Sequence, residues 1–328
     1  MQTSHKLTRL FLALASLVSL AAVSFGQVPT FGAVGAPVNQ IEVSDQKPGS
    51  VLVYPYYTSN AQAKADTRVT LSNLGAQNVI VHLFFLAGAN CQQADQFVCL
   101  TKGASISFKA SEQDPETTGY ILAVAVNEMG APIHRNQLIG NAFVNAGDFV
   151  GNYGAEAFAA LDGQVPGVPG AQVVPINPDG TATLPFGLVY DRGADQFAVE
   201  IQSPNDATGQ TIVHASLNGN IANAAVTAVA QAGTGLLWRG DEKQGSFVRF
   251  IAGNCLSSNV ITATAPRVPT GLGVFLPKGS IGTLTYATTP SVGLLMTPKT
   301  NAWSGIRTLH KTRTANAALT IPVFMPVC

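Results

Sequence analysis

The residues able to supply acids, bases or metal ligands are few and scattered. Beyond residue 26 there are four histidines, His82, His134, His214 and His310, and the carboxylates cluster in Glu112, Asp114 and Glu116 and again in Asp191, Asp195 and Asp241-Glu242. No H-x-x-x-H or H-E-x-x-H spacing sets two ligands on one helix face. A glycosidase needs two carboxylates about 5 to 9 Å apart across one bond, a separation no run of sequence displays. The serine-hydrolase elbow G-x-S-x-G is absent; Lys278-Gly279-Ser280-Ile281-Gly282 lacks its spacing. Gly271-Leu272-Gly273 lacks the third glycine and the helix of a dinucleotide site. Isolated strand histidines of this kind are structural by default. Calcium is the one cofactor left open, at the solvated loop around Pro115, although no D-x-[DN]-x-[DN]-G loop occurs; no other cofactor and no structural metal is expected.

Ring stacking on a sugar is the other chemistry to weigh. Tyr56, Tyr57, Trp238 and Trp303 are the ligand-binding candidates. Tyr54 and Tyr56 would share one face of a strand and Tyr57 the other, so part of the trio belongs to a core.

Four cysteines, Cys91, Cys99, Cys255 and Cys328, read first as two disulfides of an exported chain, and three pairings are open. Cys91 with Cys99 and Cys255 with Cys328 is the preferred expectation, a short clasp between strands plus a tie on the last residue. No C-x-x-C or Cys/His pair supports a zinc site instead.

The elements that would position these residues are short strands. Ser50 to Tyr56, Thr67 to Leu74, Asn78 to Leu86, Ala104 to Lys109, Gly119 to Val126 and Gln137 to Val144 are rich in Val, Ile, Leu or Phe. Apolar and polar residues alternate in Arg68-Val69-Thr70-Leu71 and in Ser105-Ile106-Ser107-Phe108-Lys109, as on half-buried strands. Val79 to Leu86 is apolar on both faces apart from His82, as in a strand covered on both sides.

After the Gly, Pro and Asn rich stretch 161–183, with a turn signal at Asn177-Pro178-Asp179-Gly180, further strands are predicted. They are Leu184 to Tyr190, Gln196 to Gln202, Thr211 to Leu217, Ser246 to Ala252, Asn259 to Ala263, Gly271 to Leu276, Ser280 to Ala287, Ser291 to Met296 and Leu319 to Val327. Pro322 and Pro326 mark the last as an edge strand or irregular. Short helices are predicted at Ile221 to Ala232 and Ala155 to Leu161.

The first 26 residues carry His5, Lys6 and Arg9, an uncharged run from Leu10 to Val23, then Ser24 and Gly26, the pattern of a cleavable signal peptide. The run is shorter than the ~20 apolar residues of a spanning helix, so no membrane insertion is expected after cleavage. No cysteine precedes Cys91 as a lipid acceptor. Charged residues are 11% of the chain, 18 basic against 18 acidic, which leaves no basic footprint for nucleic acid and nothing to oppose self-association.

Pro48 to Pro55, Asp66 to Asn73, Val81-His82-Leu83-Phe84-Phe85 and Asn136 to Ala142 resemble successive strands of a group of exported bacterial β-sandwich (Ig-like) proteins of unassigned activity. The resemblance covers residues 47–163, with Leu83 where that group's pattern implies a cysteine. It implies fold and export, and no catalytic residue.

The expectation is therefore an all-β chain with few short helices. Its parts are a signal peptide (1–26), an N-terminal extension (27–46), an Ig-like or jelly-roll-like β-sandwich (47–160), a Gly/Pro-rich linker (161–183) and a second such sandwich (184–328). The expected location is secreted, extracellular or periplasmic. The expected role is non-enzymatic, a structural or interaction protein of the cell surface or matrix whose partners are surface or matrix polymers or copies of itself. The alternative is a carbohydrate-binding or adhesin-like module, with a hydrolase behind both.

Overall fold

The computed structural model describes residues 47–60, 62–161, 172–248, 250–251, 253 and 255–328. The expected signal peptide, the N-terminal extension and residues 162–171 of the expected linker lie outside the described residues.

The described chain is an all-β sandwich fold. In order its strands are β1 (Val51–Thr58), β2 (Asp66–Asn73), β3 (Val79–Ala87), β4 (Gln93–Leu100), β5 (Ser105–Lys109), β6 (Thr118–Val126), β7 (Leu138–Ala146), β8 (Phe149–Gly154) and β9 (Glu156–Phe158). Then come β10 (Thr181–Phe186), β11 (Gly193–Gln202), β12 (Thr211–Ser216), β13 (Gly219–Asn220), β14 (Ala225–Val226), β15 (Gln231–Arg239) and β16 (Gln244–Val248). The last are β17 (Leu256–Val260), β18 (Ile281–Thr297), β19 (Gly305–Thr308), β20 (His310–Ala315) and β21 (Ala317–Pro322).

The inner sheet has the order β4-β3-β6-β1-β9 and is apolar on both faces because it is covered on both. One face, through Leu52, Leu83, Phe85 and Ile121, packs on Val69, Leu71 and Phe108 of the outer sheet β5-β2-β7-β8. The other face, through Val53, Phe84, Leu122 and Phe158, packs on Leu184, Phe186, Leu319 and Ile321 of the sheet β10-β21-β13-β14. That second interlayer joins residues from before the linker to residues after it. The alternation read in β2 appears as buried Val69 and Leu71 between Arg68, Thr70 and Ser72 facing outward.

β18 organises the rest. Its first half lies between β11 and β15, and beyond Pro290 its second half lies between β12 and β19. Both halves belong to one eight-stranded sheet that folds over Phe197, Ile212, Leu237, Leu284 and Leu295, the way a bent strand turns a corner in a β-sandwich. The sequence suggests two strands here, and the structure runs them together.

Other elements differ from expectation. Ile221 to Ala232 is not a helix: Asn220 accepts from the Ala222 N–H, one 3-10 turn follows, and Ala224 adopts a left-handed conformation (φ 56°) before β14. Ala155 to Leu161 is not a helix either, because Glu156 to Phe158 pair with Val51 to Val53. Gly271 to Leu276 holds a single helical turn, Leu272–Phe275, rather than a strand. β21 is interior, between β10 and β13, since Pro322 stands at its last position where a donor is dispensable; the edge strand is β10, which carries Pro185. The turn Asn177 to Gly180 forms as read, closed by Asn177 N–H to the Thr181 carbonyl, with Gly180 at φ 76°.

The disulfides pair Cys91 with Cys255 and Cys99 with Cys328, not Cys91 with Cys99. The reason is strand geometry. Cys91 precedes β4 and Cys99 is its seventh residue, so the six strand steps from Gln93 to Cys99, at about 3.3 Å each, alone span roughly 20 Å, far beyond the reach of one disulfide. Both bonds instead join the first set of strands to the second. Two such bonds fit an oxidising compartment. Among the described residues no helix is long and apolar enough to cross a membrane.

Candidate functional site

The groups that could do acid-base chemistry are engaged inside the fold. His214 on β12 is fully buried, with Nδ1 at 3.1 Å from Ser291 Oγ and Nε2 at 3.0 Å from Tyr286 Oη. A methyl at Gly293 would collide with its ring. Burial pushes the imidazole down to about 3, so it stays neutral. The pair of serine and base is sealed from substrate: it is a polar pin at the corner of β18.

His82 on β3 is equally buried, between Phe84 (ring centroids 3.9 Å) and Phe97 (4.1 Å), with Nε2 at 2.9 Å from Asp95 Oδ2. Burial lowers its proton affinity and Asp95 partly restores it. His134 is buried beside Tyr190, and His310 is exposed at a groove of about 90 Å³ shared with Glu200 and Arg307.

The carboxylates are likewise committed. Glu112 accepts from the Lys109 N–H, Asp114 from Tyr57 Oη, Asp195 from Thr314, and Asp241 accepts from both Nε and Nη2 of Arg239. Asp191 accepts from the Ala159 N–H and pairs with Lys47 at 2.7 Å. Among the described residues no three His, Cys, Asp or Glu side chains converge to hold a metal ion.

One charged cluster escaped sequence reading. Glu156 on β9 is buried between Lys311 Nζ, at 2.5 Å, and the Arg313 guanidinium, both on β20. Arg313 also donates to the Ala157 carbonyl at 3.1 Å and lies 4.8 Å over the Phe158 ring. Burial alone would raise the Glu156 carboxyl, but Arg313 and Lys311 outweigh it and hold the group below its ordinary value. The cluster is closed and clamps β20 to the edge of the inner sheet.

The four aromatic candidates do not converge. Tyr57 is fully buried, edge-on to Phe85. Tyr56 is half-buried, its backbone bonded both ways to the Tyr153 hydroxyl. Trp238 and Trp303 are exposed, at 40% and 53%, but Trp238 sits beside Thr283 near the start of β18 whereas Trp303 lies in the loop after its end. Trp238 alone stands on an open sheet face, on a rung that runs Gln244, Trp238, Thr283, Glu200.

A larger concavity than the His310 groove lies at the β4 side of the inner sheet, with a volume of about 660 Å³. Ile80, Leu100, Val126 and Ile133 floor it, and Glu128 and Arg135 are its charged groups. The exposed Cys99–Cys328 bond borders it. Beside it stand exposed apolar side chains, Met129 in its wall and Phe324, Met325 and Val327 in the chain that ends at Cys328. The only sequence signal was that last apolar segment, which the prolines made look irregular.

No family model matches this chain, and no curated protein matches it. Among solved structures, that of Thermotoga maritima 1070 aligns with 34% of this chain and 95% of its own at 9% identity and a TM-score of 0.27. The apo Pleurotus ostreatus lectin aligns over 90% of this chain and 89% of its own at 10% identity, TM-score 0.13. A glycosyl hydrolase family 2 member from Bacteroides cellulosilyticus DSM 14838 aligns over 87% of this chain and 31% of its own at 8% identity, TM-score 0.16. Scores this low carry no argument about fold or function.

Proposed function

We propose that this chain is an exported, non-enzymatic interaction protein of the cell surface or matrix, with residues 1–26 as its signal peptide and two sandwich domains, 47–160 and 184–328. The observation that carries the reading is the cleft: its lining is largely apolar, its rim exposes Met129, and its titratable side chains among the described residues are one carboxylate, Glu128, and one guanidinium, Arg135. A volume of that size suits a few apolar side chains of a partner polypeptide, within the range of about 300 to 1,000 Å³ usual for ligand sites. Titration with 1-anilinonaphthalene-8-sulfonate tests it. One saturable site is expected, weakened about tenfold in Met129→Asp, which corresponds to about 1.4 kcal/mol. Absence of saturable binding, or binding indifferent to Met129→Asp, overturns the cleft as the site.

Trp238 favours a second reading, binding of a neutral glycan to the open sheet face. Gln244 and Glu200 lie on the outer strands of its four-strand rung, about 14 Å apart at roughly 4.8 Å per strand, long enough for two or three sugar rings. A glycan array on which Trp238→Ala loses every signal supports it, and an array without signals ends it.

A further inference from the structure

The inner sheet ends in two very different ways. β9 is three residues long and clamped by β20 through Glu156. β4 is eight residues long, in unbroken register with β3 from Val79 opposite Leu100 to Leu86 opposite Gln93, and among the described residues no strand pairs with its outer side.

Natural sheets protect such edges with proline, lysine, bulges or shortness. Elsewhere this molecule does so: β10 carries Pro185, β5 ends in Lys109, β14 has two residues, and the pairing of β20 is twice interrupted. Gln93-Ala-Asp-Gln-Phe-Val-Cys-Leu100 has none of these devices. Its one charge, Asp95, is turned to His82. Gln93 Oε1 is buried without a donor among the described residues. Beside the strand lies an aromatic patch, the half-buried Phe97 stacked on His82 and Phe324, 5.9 Å from the same ring and 45% exposed.

We propose that β4 pairs antiparallel with β4 of a second copy of this chain, making the inner sheet continuous across a two-fold axis. Three observations favour a second copy over a foreign strand. Antiparallel edge pairing is self-complementary, as a two-fold interface must be. The chain has balanced and sparse charge, 18 basic against 18 acidic residues, so copies do not repel. An axis through Gln96 sets Asp95 opposite Phe97, not opposite its own copy, and brings the two Phe97 and Phe324 patches together. About 26 Å of strand edge is covered on each molecule.

The assembly goes beyond the cleft reading, and one set of measurements separates them. Sedimentation of the protein should show a dimer at about 100 µM that dissociates on dilution towards 1 µM. Hydrogen exchange should protect the Gln93 to Leu100 amides in the concentrated sample alone. Gln96→Lys, which sets ammonium groups beside the axis, should weaken the dimer at least tenfold with the unfolding midpoint unchanged, and the anilinonaphthalene sulfonate titration should stay as in the parent. A monomer at about 100 µM overturns the proposal, including one whose β4 amides are protected by another segment or partner. So does a dimer indifferent to Gln96→Lys. Loss of dye binding with the dimer intact counts against the cleft alone.

Discussion

The two edges of the inner sheet close the same apolar interlayer by opposite means. At β9, three charged side chains are buried together, Glu156 between Lys311 and Arg313, and the pairing leaves no opening. At β4, a neutral histidine lies under Phe324, the last residue is held by an exposed disulfide, and a 660 Å³ cleft stays open. An ion cluster specifies one arrangement because each partner removed strands another in low dielectric, whereas an apolar edge accepts whatever apolar surface arrives. The first suits a permanent joint and the second a replaceable contact.

The sharpest way to break this contrast is to strand the charges at β9. Glu156→Gln leaves Lys311 buried without a counter-charge and Arg313 with only the more distant Asp191, at 3.6 Å, and should cost about 3 to 5 kcal/mol, read as a fall in the urea midpoint. Replacing all three, Glu156→Leu with Lys311→Met and Arg313→Met, should recover most of that loss, because the penalty lies in the unpaired charge and not in the missing bond. A triple variant as unstable as Glu156→Gln would mean that β20 needs the ions themselves.

The disulfides extend the comparison. They close loops of 164 and 229 residues, a difference worth only about 0.3 kcal/mol of chain entropy, so the native environment decides between them. Cys91 and Cys255 are buried in the interlayer, whereas Cys99 and Cys328 are exposed and hold only the chain end. Cys91→Ala with Cys255→Ala should cost about 2 to 5 kcal/mol, and Cys99→Ala with Cys328→Ala clearly less. Under a mild dithiol, alkylation and mass spectrometry should find Cys99 and Cys328 modified first. Simultaneous reduction would erase the distinction between a permanent and a replaceable end.

Acid should separate the edges as well. Burial holds His82 below its ordinary 6.5 against the pull of Asp95, so the unfolded chain protonates first. Its contribution is complete above about pH 6.5 and declines below, by up to about 1.4 kcal/mol per pH unit. Glu156, depressed below its ordinary 4.5 by Arg313 and Lys311 against burial, contributes fully above 4.5 and is lost only as pH falls through its lower folded value. His214, pushed to about 3, declines over the histidine range too, but between β12 and β18, so local exchange is the right probe. Between pH 6.5 and 4.5, amides of β3 and β4 should exchange faster while those of β9 and β20 hold. The reverse order would show that the β4 side is the better sealed.

This contrast is also where sequence reading stopped. Periodicity was enough for β2, where inward Val69 and Leu71 alternate with outward Arg68, Thr70 and Ser72, and for β3, whose doubly apolar pattern reflects two covering layers. β4 was missed because an edge strand with one covered flank reads as Gln-Ala-Asp-Gln, without a run of branched residues. β20 was missed because Lys311 and Arg313 read as solvent-facing, and the carboxylates that make their burial tolerable, Glu156 and for Arg313 also Asp191, lie more than 100 positions away. Beyond the last apolar segment the cleft has no linear signature, since its lining is divided among β3, β4, the end of β6, the following loop 127–135 and Cys328.

The gentlest test concerns Asp95, the acid that makes His82 easier to protonate. Its side chain is partly exposed and its partner neutral at pH 7, so Asp95→Asn should cost less than about 1 kcal/mol there. Below pH 6.5 the variant should fare worse. Without the carboxylate the folded imidazole binds its proton still more weakly, so the range over which only the unfolded chain is protonated widens downward and the acid loss deepens. Exchange at β3 and β4 should therefore rise further in Asp95→Asn than in the parent at pH 5, with β9 unaffected. An unchanged acid profile would mean that Asp95 serves the strand pairing rather than the histidine, and that the β4 edge is held by its apolar contacts alone.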